Sequence, residues 1–302
     1  MLKIALLDDY AGVALECADW SRLDGKAEIT VFHDHMSEER AAETLAPFDV
    51  LVTIRERMAL PGSLIRRLPN LRLITIIGMR LTNLDLDAAT EAGVIVAHSG
   101  GGSPAFPNIA AATPELSWGL LIATVRDIAG QDRRMRDGLW QDKVGMVLAG
   151  RTLGLLGLGR IGKRIAEYAE VFGMEVIAWS QNLTAEAAAA VGVRRVEKDE
   201  LFAQSDVVSI HLVLSDRSRG LVTARELGLM KPTAYLINTS RGPIVNEADL
   251  VAALRTGTIA GAGLRRVRPG AASPSSSAAH AGERHPDAAP RLRHAGHAEG
   301  LL

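Results

Sequence analysis

The turn Gly157-Leu158-Gly159-Arg160-Ile161-Gly162 restricts this chain more than any other six residues do. It follows an apolar run, TLGLL, and opens RIGKRIAEYAEVFG, whose apolar residues recur at helical spacing. A second strand-like run, MEVIAWS, follows within the span of one βαβ unit. In that setting each glycine has a task. Gly157 permits a tight turn, Gly159 lets a pyrophosphate approach the backbone, and Gly162 lets helix and strand pack closely. The helix N-terminus adds unpaired N–H groups and the positive end of its dipole. A dinucleotide site is therefore expected on Gly157, Gly159, Arg160, Ile161 and Gly162. Where a carboxylate would hold the adenosine ribose stand Ser180, Gln181 and Asn182. Ser180 and Asn182 suit a ribose or its phosphate, or cap the next turn, so the cofactor reads as NAD or NADP.

The rest of the chain repeats the alternation of strand and helix. Before the turn come KIALLDD, AEITVFHD, FDVLVTIRE, LRLITIIG and GVIVAHSGGG, with helical SEERAAETLAPF (N-cap Ser37) and LDLDAATEAG between them. After it come DVVSIHLVL, AYLINTS and the opening of a further strand, TIAGAGL. Short apolar strands alternating with helices form parallel sheets covered on both faces. The expected architecture is α/β, with two doubly wound sheets. Gly100, Gly101 and Gly102 with Pro104 and Pro107 mark a boundary, which gives domains at 1–100 and 101–264 and a separate stretch at 265–302. The segment TPELSWGLLIATVRDIAGQDRRMRDGLW reads as one long helical stretch. Its first half is apolar nearly all round, so it is expected to lie buried between domains or subunits.

Composition removes several function classes. The 302 residues carry a net charge of −1, which supplies no electrostatic attraction for nucleic acid or an anionic membrane. One cysteine, Cys17, rules out an intrachain disulfide framework and suits a reducing compartment. MLKIALLDDY reaches Asp8 and Asp9 too early for a signal peptide, and no apolar run is long enough for a bilayer. The expected location is the cytoplasm.

Two further strand ends carry candidate chemistry. His211 closes the strand DVVSI, where an open parallel sheet presents side chains to its ligand crevice, although taken alone a core histidine is the commoner reading of such a pattern. Arg241, beside Gly242 and after AYLINTS, is suited to bidentate capture of a carboxylate.

GLLGLGRIG, SIHLVLSDRSRGLV and LMKPTAYLINTSRGPIVNEADLVAALRTGTIAGAGL together resemble the D-isomer-specific 2-hydroxyacid dehydrogenases, over residues Lys3 to Leu264. The resemblance implies a flavodoxin-like substrate domain, a Rossmann dinucleotide domain and a homodimer built on the latter. It implies reversible hydride transfer between a nicotinamide and the C2 carbon of a 2-oxo acid, with Arg241 polarising the substrate. Gly78, Met79 and Arg80 fall in the loop whose amides would hold the substrate carboxylate, and Glu115 in the segment before the interdomain helix. Ser180, His211 and Thr239 join the cofactor set. The Gly78 loop lacks the usual second glycine, and Val213 stands where proline is common.

After Leu264 the composition changes: Ile, Phe, Tyr, Trp, Met and Lys do not recur. The family's glutamate segment, resembling GLDVxxxEP, and its histidine segment, resembling TPHxGY, belong here and are absent. His280, His285, His294 and His297 stand in no such context and read as solvated tail residues. Arg265 to Ala272 can be encoded as CGACGTGTTCGACCCGGAGCCGCT, which one base later spells DVFDPEP. Asp287 to His294 can be encoded as GACGCCGCACCTCGGCTACGTCAC, which one base later spells TPHLGYV. With those codons both segments lie in the same shifted frame and in family order; a genuine low-complexity tail is the alternative, which explains the composition but not the two motifs. The expectation is a frameshift near codon 265, a disordered tail, an aggregation-prone chain and impaired catalysis. The alternative is a catalytically dead dinucleotide-binding remnant or cofactor-sensing protein.

Overall fold

The computed structural model describes residues 1–55, 57–78, 83–99 and 109–265. Its chain divides into two compact units, Met1–Ala110 and Ala111–Leu302, later than the boundary at residue 100 that the glycine cluster suggests. Residues 100–108, which contain that cluster, and 266–302 lie outside the description.

The first unit holds β1 (Leu2–Leu7), β2 (Ala27–Val31), α1 (Glu38–Leu45), β3 (Val50–Ile54), α2 (Gly62–Ile65), β4 (Leu73–Ile77), α3 (Leu86–Glu91) and β5 (Ile95–His98). Its five strands run parallel in the order β2-β1-β3-β4-β5, the flavodoxin-like arrangement. The period-two alternation of β1 divides the core between the faces. Ala5 and Leu7 pack with Leu51, Ile74 and Ile76 under Ala41 and Leu45 of α1 and Leu64 of α2. Ile4 and Leu6 face the other way, against Val50, Val52 and Ala14. Ser37 caps α1 as expected, accepting a hydrogen bond from the Arg40 amide.

The second unit holds α4 (Ala112–Val125), α5 (Ile128–Arg136), β6 (Thr152–Leu156), α6 (Arg160–Val171), β7 (Glu175–Trp179), α7 (Ala185–Ala189), β8 (Arg194–Arg195), α8 (Lys198–Gln204), β9 (Val207–Ile210), α9 (Ala224–Leu229), β10 (Tyr235–Asn238), α10 (Glu247–Thr256) and β11 (Gly261–Leu264). The sheet is parallel throughout, in the order β11-β10-β9-β6-β7-β8. Counting strands within the unit, this is the Rossmann order 3-2-1-4-5-6. Leu153, Leu155 and Ile237 pack on one face against Trp118 and Leu121 of α4 and Ile165 of α6. Leu156, Ile210 and Leu236 pack on the other against Phe202 of α8, Leu227 of α9 and Leu250 of α10. Leu121 is fully enclosed, so truncation to alanine costs about 2 to 5 kcal/mol.

One expectation about the elements is corrected. The stretch from Thr113 to Trp140 is not one helix: Asp127 takes a left-handed conformation, φ 51°, between α4 and α5. A single left-handed residue cannot continue a right-handed helix. The two-residue strand β8 has no apolar run to announce it. No helix among the described residues is long and apolar enough to cross a membrane.

Candidate active site

Both sheets are open and doubly wound, so ligands are expected outside the carboxyl ends of their strands where the strand order reverses. In the second unit that point lies between β6 and β9. The turn after β6 is closed from two sides. Gly157 has φ 103°, and a Cβ on it would lie 2.9 Å from the carbonyl oxygen of His211. A Cβ on Gly162 would lie 2.2 Å from the carbonyl oxygen of Gly157. Gly159 is the opposite case: it is exposed, and no atom lies within 4 Å of where its Cβ would be. It is the N-cap of α6, and no side chain caps the helix. Arg160 is exposed and Ile161 half-buried at the same helix start. The result is a helix terminus with its approach open, the environment a phosphate favours.

His211 stands on the opposite wall. Its amide donates to Leu156 O at 2.8 Å, continuing the pairing of β9 with β6. Its Nε2 lies 2.9 Å from Ser209 Oγ. Although a part of the ring reaches the surface, packed protein around it disfavours the imidazolium and pushes its pKa down to about 4. The imidazole is therefore neutral at pH 7. Ser180 follows β7, half-buried, and its carbonyl accepts from Leu183 N.

The end of β10 supplies a third wall. Thr239 is buried, and its hydroxyl lies 2.6 Å from Ser117 Oγ on α4, so that side chain is turned into the core. Arg241 is half-buried and donates from Nη1 to Ser240 O at 3.1 Å. Two residues that sequence reasoning passed over shape this loop. The Asn238 amide donates to Arg241 O at 3.1 Å while its Oδ1 accepts from Ser240 N at 3.0 Å. The Ser240 hydroxyl donates to Leu212 O, on the loop that follows His211. The signal available for both was turn chemistry, since Asn and Ser hydrogen-bond their own backbone two or three residues on.

In the first unit Gly78 follows β4 with φ 142°, and its amide donates to Ser99 Oγ at 3.1 Å. Met79 and Arg80 lie outside the described residues, as do the histidines from His280 on. Asp8 and Arg55, which follow β1 and β3, both take left-handed backbone conformations. Asp8 is buried, with Tyr10 Oη donating to Oδ1 at 3.2 Å and His35 Nδ1 at 3.3 Å from the same oxygen.

Residues 118–275 match the family model for the D-isomer specific 2-hydroxyacid dehydrogenase, NAD binding domain. A glyoxylate reductase from Aeropyrum pernix is 38% identical over 210 residues, 67% of this chain and 61% of that protein. The chain thus spans less than two thirds of that relative's length. A glyoxylate reductase from Thermococcus litoralis is 34% identical over 248 residues, 78% of this chain and 73% of that protein. Among solved structures, phosphoglycerate oxidoreductase from Vibrio cholerae O395 has a TM-score of 0.83 at 35% identity, covering 92% of this chain and 88% of that one. The matched domain makes NAD(P) the cofactor of this chain. By the match to its NAD-binding domain and by these relatives, the chain belongs to the D-isomer specific 2-hydroxyacid dehydrogenase family.

Proposed function

We propose that the chain descends from an enzyme that transfers a hydride between NAD(P) and a small D-2-hydroxy acid or its 2-oxo form. The observation that carries this reading is the turn in which Gly157 and Gly162 leave no room for a side chain while Gly159 stands open. That cradle fits a pyrophosphate, with Arg160 and Ile161 at the helix start and Ser180, His211 and the Thr239 backbone along the remaining walls. When bound, the nicotinamide supplies or accepts the hydride. Arg241 binds and polarises the oxo-carboxylate through its planar fork. The first unit is assigned to substrate, with Gly78, Met79 and Arg80 offering backbone amides to the carboxylate.

Proton transfer is the step this chain handles worst. His211 is neutral at pH 7 and hydrogen-bonded to Ser209, which suits lining a cofactor better than donating a proton. The family's acid–base histidine and its glutamate are absent from the translated residues 265–302, whose codons can be chosen to spell both segments one base later. We therefore assign those residues to a frameshift and expect the turnover of the 302-residue chain to be impaired. The same observation favours a second reading, a dinucleotide-binding protein without catalysis.

The names of the relatives, glyoxylate reductase and D-3-phosphoglycerate dehydrogenase, point to glyoxylate and 3-phosphoglycerate as substrate types, within the 2-oxo and 2-hydroxy acids. A homodimer in the cytoplasm completes the reading. Between Ile128 and Val147 the chain exposes Trp140 (76%), Val144 (94%) and Val147 (63%), with Ile128, Met135 and Leu139, and these exposed apolar side chains are what supports assigning this segment to contact with a second copy. The deciding experiment is calorimetric titration with NADH and NADPH, followed by reduction assays on glyoxylate, hydroxypyruvate and pyruvate. Binding with little turnover selects the impaired enzyme or its non-catalytic variant, and no binding by folded protein rejects both.

A further inference from the structure

Arg241 sits in the loop that follows β10. It is one residue past Ser240, and its Nη1 turns back onto the Ser240 carbonyl. What fixes that short segment is Asn238, which is buried at the end of β10. Its side chain bonds both ends of the turn, donating to Arg241 O and accepting from Ser240 N. An amide side chain has the donor and acceptor needed to do both at once. Ser240 then reaches across to Leu212 O. Leu212 adjoins His211, whose carbonyl borders the Gly157 turn. A continuous set of polar and packing contacts thus runs from the phosphate-binding turn, through the loop after β9, to the loop carrying Arg241.

We infer that Asn238 and Ser240 are positioning residues that set Arg241 in register with the dinucleotide cradle, so that the carboxylate of a 2-oxo acid meets its guanidinium beside the nicotinamide. The inference rests on the assignment of Arg241 to substrate. Neither residue touches substrate in this scheme. Their effect is on the orientation of Arg241, and a planar bidentate donor is sensitive to orientation in a way that a point charge is not.

The test uses the full chain and three readouts: amide exchange across residues 239–242, NADH affinity, and affinity of the NADH-bound protein for oxamate, an unreactive 2-oxo acid mimic. Asn238→Ala and Ser240→Ala are each expected to speed exchange at these amides. Each should weaken oxamate by about tenfold, the equivalent of one lost hydrogen bond, while NADH affinity stays within about threefold. Ser240→Thr keeps the hydroxyl and should restore oxamate binding. Should Asn238→Ala fail to fold, the Ala and Thr variants at Ser240 decide the matter. Unchanged oxamate affinity in the alanine variants, or a parallel loss of NADH and oxamate binding, overturns the inference. If wild type binds NADH and never oxamate, the assignment of Arg241 to substrate is what fails, and exchange at 239–242 still reports on the brace: no acceleration in the variants rejects it.

Discussion

The carbonyl oxygen of Gly157 occupies the place where a side chain at residue 162 would begin, 2.2 Å from a Cβ built there. The contact is with backbone, so neither partner can move aside cheaply. Gly162→Ala should therefore cost about 1 to 3 kcal/mol in stability, as overpacked sites do, and distort the turn enough to weaken NADH. Gly159→Ala meets no atom within 4 Å and should change stability by less than about 0.5 kcal/mol. A bulkier residue there, Gly159→Leu, should abolish NADH binding in a folded protein. Thermal melts beside calorimetry separate the two glycines. Equal destabilisation by both alanines would contradict their assigned tasks.

Arg241→Lys keeps the charge and loses the fork. Oxamate binding to the NADH-bound protein is expected to weaken by about ten- to a hundredfold, since charge-assisted hydrogen bonds are worth about 1.5 to 3 kcal/mol. NADH affinity should be nearly unchanged. A lysine variant that holds oxamate like wild type would remove Arg241 from the substrate site.

The half-buried His211, packed closely by protein, links stability to pH. Its folded-state pKa is pushed down to about 4, against about 6.5 in an unfolded chain. The unfolded state therefore takes up a proton first as pH falls. The contribution is fully present above about pH 6.5 and is lost progressively down to about pH 4, with an upper bound of about 3 to 4 kcal/mol. His211→Gln removes the titration and should flatten the part of the stability curve between those pH values. Urea melts at pH 7, 5.5 and 4.5 give the comparison, and an identical slope in wild type and variant counts against the neutral, closely packed ring.

Loss of the general acid commonly costs about a hundred- to ten-thousandfold in rate. Turnover of the 302-residue chain with any 2-oxo acid should be depressed by at least that range. A turnover number of ordinary size, about ten per second, would falsify the impairment. The DNA gives an independent answer: codons 265–272 and 287–294 should spell DVFDPEP and TPHLGYV one base later. Restoring one base should then return dehydrogenase activity.

The parts of this protein that could be read from its sequence are those where one residue type alone satisfies a local constraint. Gly157 and Gly162 are such positions, because the backbone contacts around them admit no Cβ. The continuous apolar runs of β1 and β6 disclose their sheets because both faces are buried. Other features depend on partners distant in sequence. The family resemblance places Thr239 among the cofactor residues, yet its hydroxyl is taken up by Ser117, over a hundred residues earlier. The break between α4 and α5 rests on one left-handed aspartate, which leaves no periodic trace. Asn238 and Ser240 look like ordinary turn residues until their acceptors are located on Arg241 and Leu212.

Every strand of the second sheet among the described residues is specified before codon 265, since β11 ends at Leu264. A ribosome moving along this message would emit the cradle, the walls around it and the Arg241 loop before it reached the point of the proposed slip. Domains fold largely as units, N-terminal parts first, at synthesis rates of about 5 to 20 residues per second. The lesion would then divide the molecule's capacities by their order of translation. Recognition of the dinucleotide, written upstream, would be inherited, and proton transfer, written downstream, would be the capacity forfeited.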